Sequence, residues 1–323
     1  MYFERRINRG VIVQMVFGSH LYGTSTPTSD KDFKGIFLPH QEGDLYLCKT
    51  PKSMSLSTKT GEGKNTPDDI DAEFYSYQEF IKLACEGQTV ALDMLHAPKD
   101  MLIHSSWIWD KIVAERSRFY TKNLNAFVGY ARRQASKYGI KGSRLSSAQS
   151  FIDLLNRYPD DAKLSVLWNE IQTNEHVQYF EVASPVRHIQ ICGKLLQETF
   201  RVDYSREVIQ KFVDAYGHRA EQAARNEGID WKAVSHAIRA AYQVQELLTT
   251  GNITFPLKEA EYIKAVKSGK FDYVTEVAPK LENMMTELET LSAKSNLPER
   301  ADRKYWDEFI VKTLKMEYEL SAI

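Results

Sequence analysis

Cysteine is scarce in this chain, and long apolar runs are absent from it. The 323 residues include three cysteines, Cys48, Cys85 and Cys192, which are far apart and odd in number. They form neither a disulfide framework nor a CxxC metal site. No stretch approaches the roughly 20 apolar residues that a bilayer-spanning helix needs, and the N-terminal MYFERRINRG has no apolar signal core. We therefore expect a cytoplasmic protein with reduced cysteines and no membrane partner.

The chain has almost no net charge, but its basic residues are unevenly distributed. Its 42 Lys and Arg against 43 Asp and Glu argue against a protein that coats nucleic acid with its whole surface. Residues 116–152 contain no acidic residue. Their basic residues are Arg116, Arg118, Lys122, Arg132, Arg133, Lys137, Lys141 and Arg144, with Tyr120, Tyr130 and Tyr138 between them.

Such a stretch is typical of a groove for RNA or for a triphosphate, since bases stack on aromatic rings and phosphates bind cations. Lys137 and Lys141 are the strongest candidates for binding the anion, because glycines adjoin them in KYGIKGSR. The alternative is a basic helix that pairs with acidic helices such as LENMMTELETL. Composition alone does not separate the two.

Strand and helix patterns alternate in the first part of the chain. VIVQMVF, at residues 11–17, is short, apolar and rich in β-branched side chains, which is typical of a buried strand. Residues 32–38 and 70–75 predict two further strands. The polar residues 49–68 predict an irregular surface loop. From residue 77 onward the apolar spacing becomes helical.

Helices dominate the remainder. Apolar residues recur at helical spacing in four late segments, at residues 231–248, 257–267, 273–292 and 302–320. Residues 177–202 are instead rich in β-branched and aromatic side chains and predict a small hairpin. We predict an α+β fold with a mixed-sheet domain over residues 1–103 and a mainly helical domain over residues 104–323, in which residues 143–230 are an insertion.

Two aspartates precede or begin the second predicted strand at a spacing that suits a metal ion. Side chains alternate faces along a strand, so Asp30 and Asp32 project to one side with Cα atoms about 6.5 Å apart. In IDAEFY, Asp71 and Glu73 also share a face. Because Mg²⁺ prefers oxygen ligands, we predict a magnesium site at Asp30, Asp32 and a third acid. We favour Asp71, and Glu73 remains the alternative.

A glycine-serine pair comes before these acids. Gly18 lets the backbone approach a phosphate closely, and Ser19 adds a hydroxyl and an N–H at the start of a helix, where the dipole favours anions. His20 and Tyr22 flank the pair and are further candidates to contact phosphate or base. The glycine spacing matches a P-loop, but Thr24 stands where that motif needs lysine.

The runs FGSHLYGT and SDKDFKGI, at residues 17–24 and 29–36, resemble the signature of the DNA polymerase β nucleotidyltransferase superfamily. More narrowly, they resemble the predicted nucleotidyltransferases of the RlaP kind, which are associated with RNA repair. The resemblance continues through residues 71–95, returns weakly in SHAIRAAYQVQELLTTGNITFP, and is least over residues 143–230. It implies a polymerase β palm-like sheet, a nucleotide-binding turn at Gly18 and Ser19, and two Mg²⁺ held by Asp30, Asp32 and Asp71.

The reaction expected from this resemblance is transfer of a nucleoside monophosphate from an NTP, expected to be ATP, to an acceptor hydroxyl by a two-metal mechanism. We favour an RNA end as the acceptor, on the basic stretch and the resemblance together. Two alternatives stay open. The same site would serve for nucleotidylation of a protein side chain, and a non-catalytic nucleotide-binding scaffold would carry the same motifs.

Overall fold

The computed structural model describes residues 10–39, 42–59, 66–122, 142–174, 176–180 and 185–321. The chain divides into two compact units, the first with residues 1–131, 232–270 and 283–323 and the second with residues 132–231 and 271–282. The expected boundary at residue 103 stays a prediction. Within the described ranges, no helix combines the length and the apolar composition that crossing a membrane requires.

A five-stranded sheet lies in the first unit. In chain order its strands are β1 Val11–Val16, β2 Lys31–Phe37, β3 Ser53–Ser57, β4 Ile70–Ser76 and β5 Leu102–Ser105. Their order across the sheet is β3-β4-β2-β1-β5. β2 and β4 run parallel and all other neighbours run antiparallel, so the sheet is mixed, as predicted.

Burial explains why the sequence identifies the central strands. Ile12, Val13 and Met15 of β1 are at most 1% exposed, because β1 lies inside the sheet between β2 and β5. A strand buried on both faces consists almost entirely of apolar residues, and this is the pattern of VIVQMV.

Both edge strands depart from the prediction. β3 lies in the polar segment that we expected to be an irregular loop. Its serines Ser53, Ser55 and Ser57 are exposed, so it lacks the apolar side chains by which a strand is recognised. β5 has four residues, of which three are exposed, and it lies in a stretch where the sequence pattern is mainly helical. Pairing with the sheet, rather than local preference, makes both segments extended.

Helices make up most of the rest. In chain order they are α1 Gly18–Tyr22, α2 Glu42–Tyr46, α3 Tyr77–Cys85, α4 Thr89–His96, α5 Trp107–Ala114, α6 Gly142–Leu155, α7 Leu164–Leu167, α8 Val202–Ala224, α9 Trp231–Thr250, α10 Ala260–Lys267, α11 Ala278–Lys294 and α12 Arg303–Ser321. All four late segments predicted as helical are helical, although residues 273–277 form one π-helical turn before α11.

The second unit has its own sheet and core. β6 Val177–Phe180, β7 His188–Ile191 and β8 Lys194–Gln197 form an antiparallel sheet, so the predicted hairpin gains a third strand. Fully buried core side chains include Leu155, Leu164, Ile189, Leu196 and Ile209. An open, mostly polar cavity of about 750 Å³ lies against α6, and none of the predicted site residues lines it.

Candidate metal and nucleotide site

Three carboxylates converge on one side of the main sheet. Asp30 immediately precedes β2, Asp32 lies within it, and Asp71 lies directly opposite Asp32 on the parallel strand β4. One oxygen from each of the three lies within 4.8 Å of the others. Among the residues that the structure describes, this is the one group of three side chains placed to hold a metal ion.

The electrostatics of this carboxylate cluster (Asp30, Asp32 and Asp71) favour a cation. Partial burial raises the pKa of Asp32, and the negative charges of Asp30 and Asp71 raise it further, while Lys34 and His20 act in the opposite direction. Three acids held this close repel one another, and a divalent cation would offset that repulsion. The donor set is all oxygen, which is the chemistry that Mg²⁺ takes.

Glu73, the alternative third acid, is engaged elsewhere. Its Oε2 accepts a hydrogen bond from Lys34 Nζ at 2.6 Å and another from the Tyr75 hydroxyl at 2.5 Å. Burial alone would raise the pKa of Glu73, but these two bonds lower it. Glu73 is therefore a paired carboxylate two residues further along β4. Asp71 is the acid that the strand register places in the cluster.

The turn after β1 packs directly on the cluster. Gly18 has a φ of +61°, and a Cβ built there would lie 1.9 Å from Asp32 Oδ2. The backbone N–H of Phe17 donates to the carbonyl of Asp32 at 2.8 Å. No residue with a side chain fits at position 18, between the turn and the Asp32 carboxylate.

Two polar atoms on α1 have no hydrogen-bond partner among the described residues. Ser19 Oγ and His20 Nε2 are both buried and unsatisfied. Buried polar atoms in native proteins nearly always have a partner. A ligand with acceptor oxygens is one kind of group that would satisfy such atoms.

The Tyr22 hydroxyl is bound to Asp93. The residue is 8% exposed, and its hydroxyl donates to Asp93 Oδ2 at 2.8 Å. The hydroxyl proton is therefore already donated to Asp93. The expected contact of Tyr22 with the nucleotide stays a prediction. Asp93 is itself only 1% exposed, so it is not a surface residue of its helix. A signal was available: Asp93 lies within ALDML, between apolar residues on both sides.

Arg239 and Gln243 of α9 also bind Asp93. The sequence shows Arg239 as one polar position on a long helix, and nothing local identifies its partner.

Part of the basic stretch is occupied by other contacts. Arg118 pairs with Glu115 and Asp302, and Lys122 pairs with Glu299. These acids lie beside the stretch or just before α12 and not on LENMMTELETL, so the alternative of pairing with acidic helices stays a prediction. Tyr120 is buried against His96 and offers no stacking surface. Lys137 and Lys141 lie outside the described residues, as do Arg132, Arg133, Tyr130 and Tyr138.

The described fold is α+β, and comparison with known proteins identifies its class. Residues 2–151 match the RNA repair pathway DNA polymerase beta family, RlaP. Over 322 residues the chain is 38% identical to the uncharacterized 38.9 kDa protein in the nrdC-mobD intergenic region of Enterobacteria phage T4, covering 93% of this chain and 95% of that protein. The chain belongs to the RNA repair pathway DNA polymerase beta family.

Among solved structures, the chain matches a nucleotidyltransferase-like protein from Exiguobacterium sibiricum 255-15. That comparison covers 91% of this chain and 72% of the other at 8% identity, with a TM-score of 0.26.

Proposed function

We propose that this protein transfers a nucleoside monophosphate from an NTP, expected to be ATP, to an acceptor hydroxyl and releases pyrophosphate. The observation that carries the proposal is the convergence of Asp30, Asp32 and Asp71 within 4.8 Å. The adjacent turn, with the unsatisfied Ser19 Oγ and His20 Nε2, supports it. Family membership supports nucleotidyl transfer in general.

The donor set fits a pair of Mg²⁺ ions, which Asp30, Asp32 and Asp71 would hold. When bound, such ions neutralise phosphate charge and lower the pKa of an attacking hydroxyl. Ser19 Oγ and the His20 ring would donate hydrogen bonds to phosphate oxygens. Gly18 lets the turn pack directly against the Asp32 carboxylate, because a Cβ there would lie 1.9 Å from Asp32 Oδ2.

The reaction itself makes one bond and breaks one. The acceptor oxygen bonds to the α-phosphorus, and the bond from that phosphorus to the bridging oxygen of pyrophosphate breaks. A carboxylate oxygen of Asp71 accepts the proton of the acceptor hydroxyl. Pyrophosphate leaves with the electron pair of the broken bond.

We propose an RNA end as the acceptor. Residues 116–152 contain eight basic side chains and no acidic one. Arg116, Arg118 and Lys122 already have partners within the chain, and the remaining five would bind the phosphates of RNA. The residues that match the RNA repair pathway family include residues 116–151 of this segment. Lys137 and Lys141 are the residues that we propose to contact the RNA or the triphosphate.

The test is a labelling experiment with matched nucleotides. Purified protein is incubated with Mg²⁺, cellular RNA and each of the four NTPs, labelled either on the α- or on the γ-phosphate. We expect label on RNA from an α-labelled NTP only, and none with Asp32→Asn or with EDTA. Label on protein in place of RNA would support the protein-acceptor alternative. NTP binding without any transfer would leave the scaffold alternative and overturn the proposal.

A further inference from the structure

A buried polar network joins α1 to two other helices of the first unit. Asp93 on α4 accepts from the Tyr22 hydroxyl at 2.8 Å, from Arg239 Nη1 at 3.1 Å and from Gln243 Nε2 at 2.6 Å. The Arg239 guanidinium also lies over the Tyr22 ring, 3.8 Å from its centre. Asp93 and Gln243 are at most 1% exposed, and the Arg239 side chain is 13% exposed.

The network anchors one end of α1, the short helix that carries Ser19 and His20. α1 has five residues, and so short a helix has no stable direction of its own. At one end the Phe17 N–H binds the Asp32 carbonyl. At the other end Tyr22 is held by Asp93 and Arg239. Ser19 and His20, the two residues with unsatisfied atoms, lie between these anchors.

Stability alone does not account for a network of this kind. A buried ion pair gains little over well-packed apolar side chains, because both charges lose their hydration. Among the described residues, Arg239 Nε and Gln243 Oε1 are also buried without a partner, which adds to that cost. What such a network does provide is a defined geometry, since each polar group accepts few arrangements.

We propose that Asp93 and Arg239 are positioning residues, which act through Tyr22 to hold α1 so that Ser19 and His20 face the phosphates of the nucleotide. That the ligand is a nucleotide rests on the proposed function. That the network fixes the position of α1 does not rest on it, because this effect can be measured without any nucleotide.

The chain offers a matched control. Tyr120 is also buried, at 4% exposure, and its hydroxyl lies 2.8 Å from His96 Nε2. His96 lies on α4, three residues after Asp93. Tyr22→Phe and Tyr120→Phe therefore each delete one buried tyrosine hydroxyl that contacts a side chain of α4, but Tyr22 alone belongs to α1.

The experiment compares both variants, and Arg239→Lys, with the full-length wild type. Hydrogen exchange of residues 17–24 is measured without nucleotide, and the KM for the NTP and kcat are measured with acceptor. We expect faster exchange and a higher KM for the NTP in Tyr22→Phe, neither change in Tyr120→Phe, and similar melting temperatures in the two. Arg239→Lys keeps the charge but loses the flat contact with Tyr22, and we expect kcat/KM to fall about 10²-fold.

Equal exchange over residues 17–24 in Tyr22→Phe and Tyr120→Phe, with the same KM, would overturn the inference. If the wild type transfers no nucleotide at all, the proposed function fails, and the exchange comparison alone then decides whether the network holds α1. If Arg239→Lys does not fold, Tyr22→Phe, which removes a single oxygen atom, decides the question.

Discussion

Gly18 and the carboxylate of Asp32 are in direct contact across the turn that follows β1. A methyl group at Gly18 would lie 1.9 Å from Asp32 Oδ2 and 2.7 Å from its Cγ. The backbone of Gly18 is also left-handed, with a φ of +61°, which favours glycine. Position 18 therefore needs glycine for two independent reasons, the close contact with Asp32 and the left-handed backbone. Only the contact with Asp32 involves the site.

Replacement of Gly18 by alanine separates these requirements when it is compared with Gly87→Ala. Gly87 has a similar φ of +66°, but a Cβ there meets nothing within 4 Å. Both variants should lose about 1–2 kcal/mol of unfolding free energy from backbone strain. We expect Gly18→Ala alone to lose nucleotidyl transfer, because Asp32 must move. Full turnover by Gly18→Ala would contradict the packing described above.

Asp71 and Glu73 are distinguished by isosteric amides. Asp71→Asn should lower kcat by about 10²–10³-fold, the loss typical of one group that stabilises the transition state, and should weaken Mn²⁺ binding in calorimetry. Glu73→Gln removes the negative charge of the ion pair with Lys34 and should cost about 1 kcal/mol of stability while most activity remains. The reverse order of effects would make Glu73 the third ligand.

Asp32→Asn should stabilise the metal-free protein while it abolishes transfer. Burial first, and then Asp30 and Asp71, raise the pKa of Asp32. An acid whose folded pKa lies above its unfolded value costs the folded state free energy at neutral pH, and this cost disappears as the pH falls through the raised pKa. We expect a higher melting temperature in EDTA for Asp32→Asn and no change for the exposed Asp100→Asn.

Added Mg²⁺ should raise the melting temperature of the wild type and not that of Asp32→Asn. A lower melting temperature of Asp32→Asn in EDTA would refute this account of the charge.

His96 should make stability depend on pH below neutrality. Burial lowers its pKa to about 4, against about 6.5 in an unfolded chain. The unfolded chain therefore binds a proton that the folded protein does not, and the free energy of unfolding falls as the pH drops from about 6.5 to about 4. Urea unfolding should show a loss of about 2 kcal/mol between pH 7 and pH 5 from this residue. His96→Gln should flatten the profile, and His104→Gln, at an exposed position, should not. An unchanged profile in His96→Gln would assign the effect to other groups.

The two lysines of the basic stretch are tested by salt. If Lys137 and Lys141 contact RNA phosphates, each alanine substitution should reduce the slope of log affinity against log salt concentration by about 0.7. Lys315→Ala changes the net charge equally at an exposed position on α12, and it should leave the slope unchanged. Fluorescence anisotropy with a single-stranded RNA measures all three. Equal slopes in the wild type and the lysine variants would remove this stretch from the proposed RNA groove.

Local patterns were sufficient for the inner strands and the long helices, because a buried strand or helix face leaves its period in the sequence. They failed for β3 and β5. Exposed edge strands carry few apolar side chains, and their extended conformation comes from pairing with a neighbour. The same limit explains Asp93, whose burial depends on Tyr22 and on α9, 71 and 146 to 150 residues away in the chain.

The sequence by itself determined that Asp30 and Asp32 share a side, that a glycine and a serine precede them, and that Asp71 and Glu73 lie on a later strand. Alternation along an extended backbone is a local property, so these relations need no partner. Only the tertiary structure placed Asp71 in the carboxylate cluster, because the parallel register of β2 and β4 sets Asp71 opposite Asp32 and Glu73 opposite Lys34. Only the tertiary structure brought Arg239 and Asp93 to Tyr22, since contacts between distant segments depend on how whole elements pack.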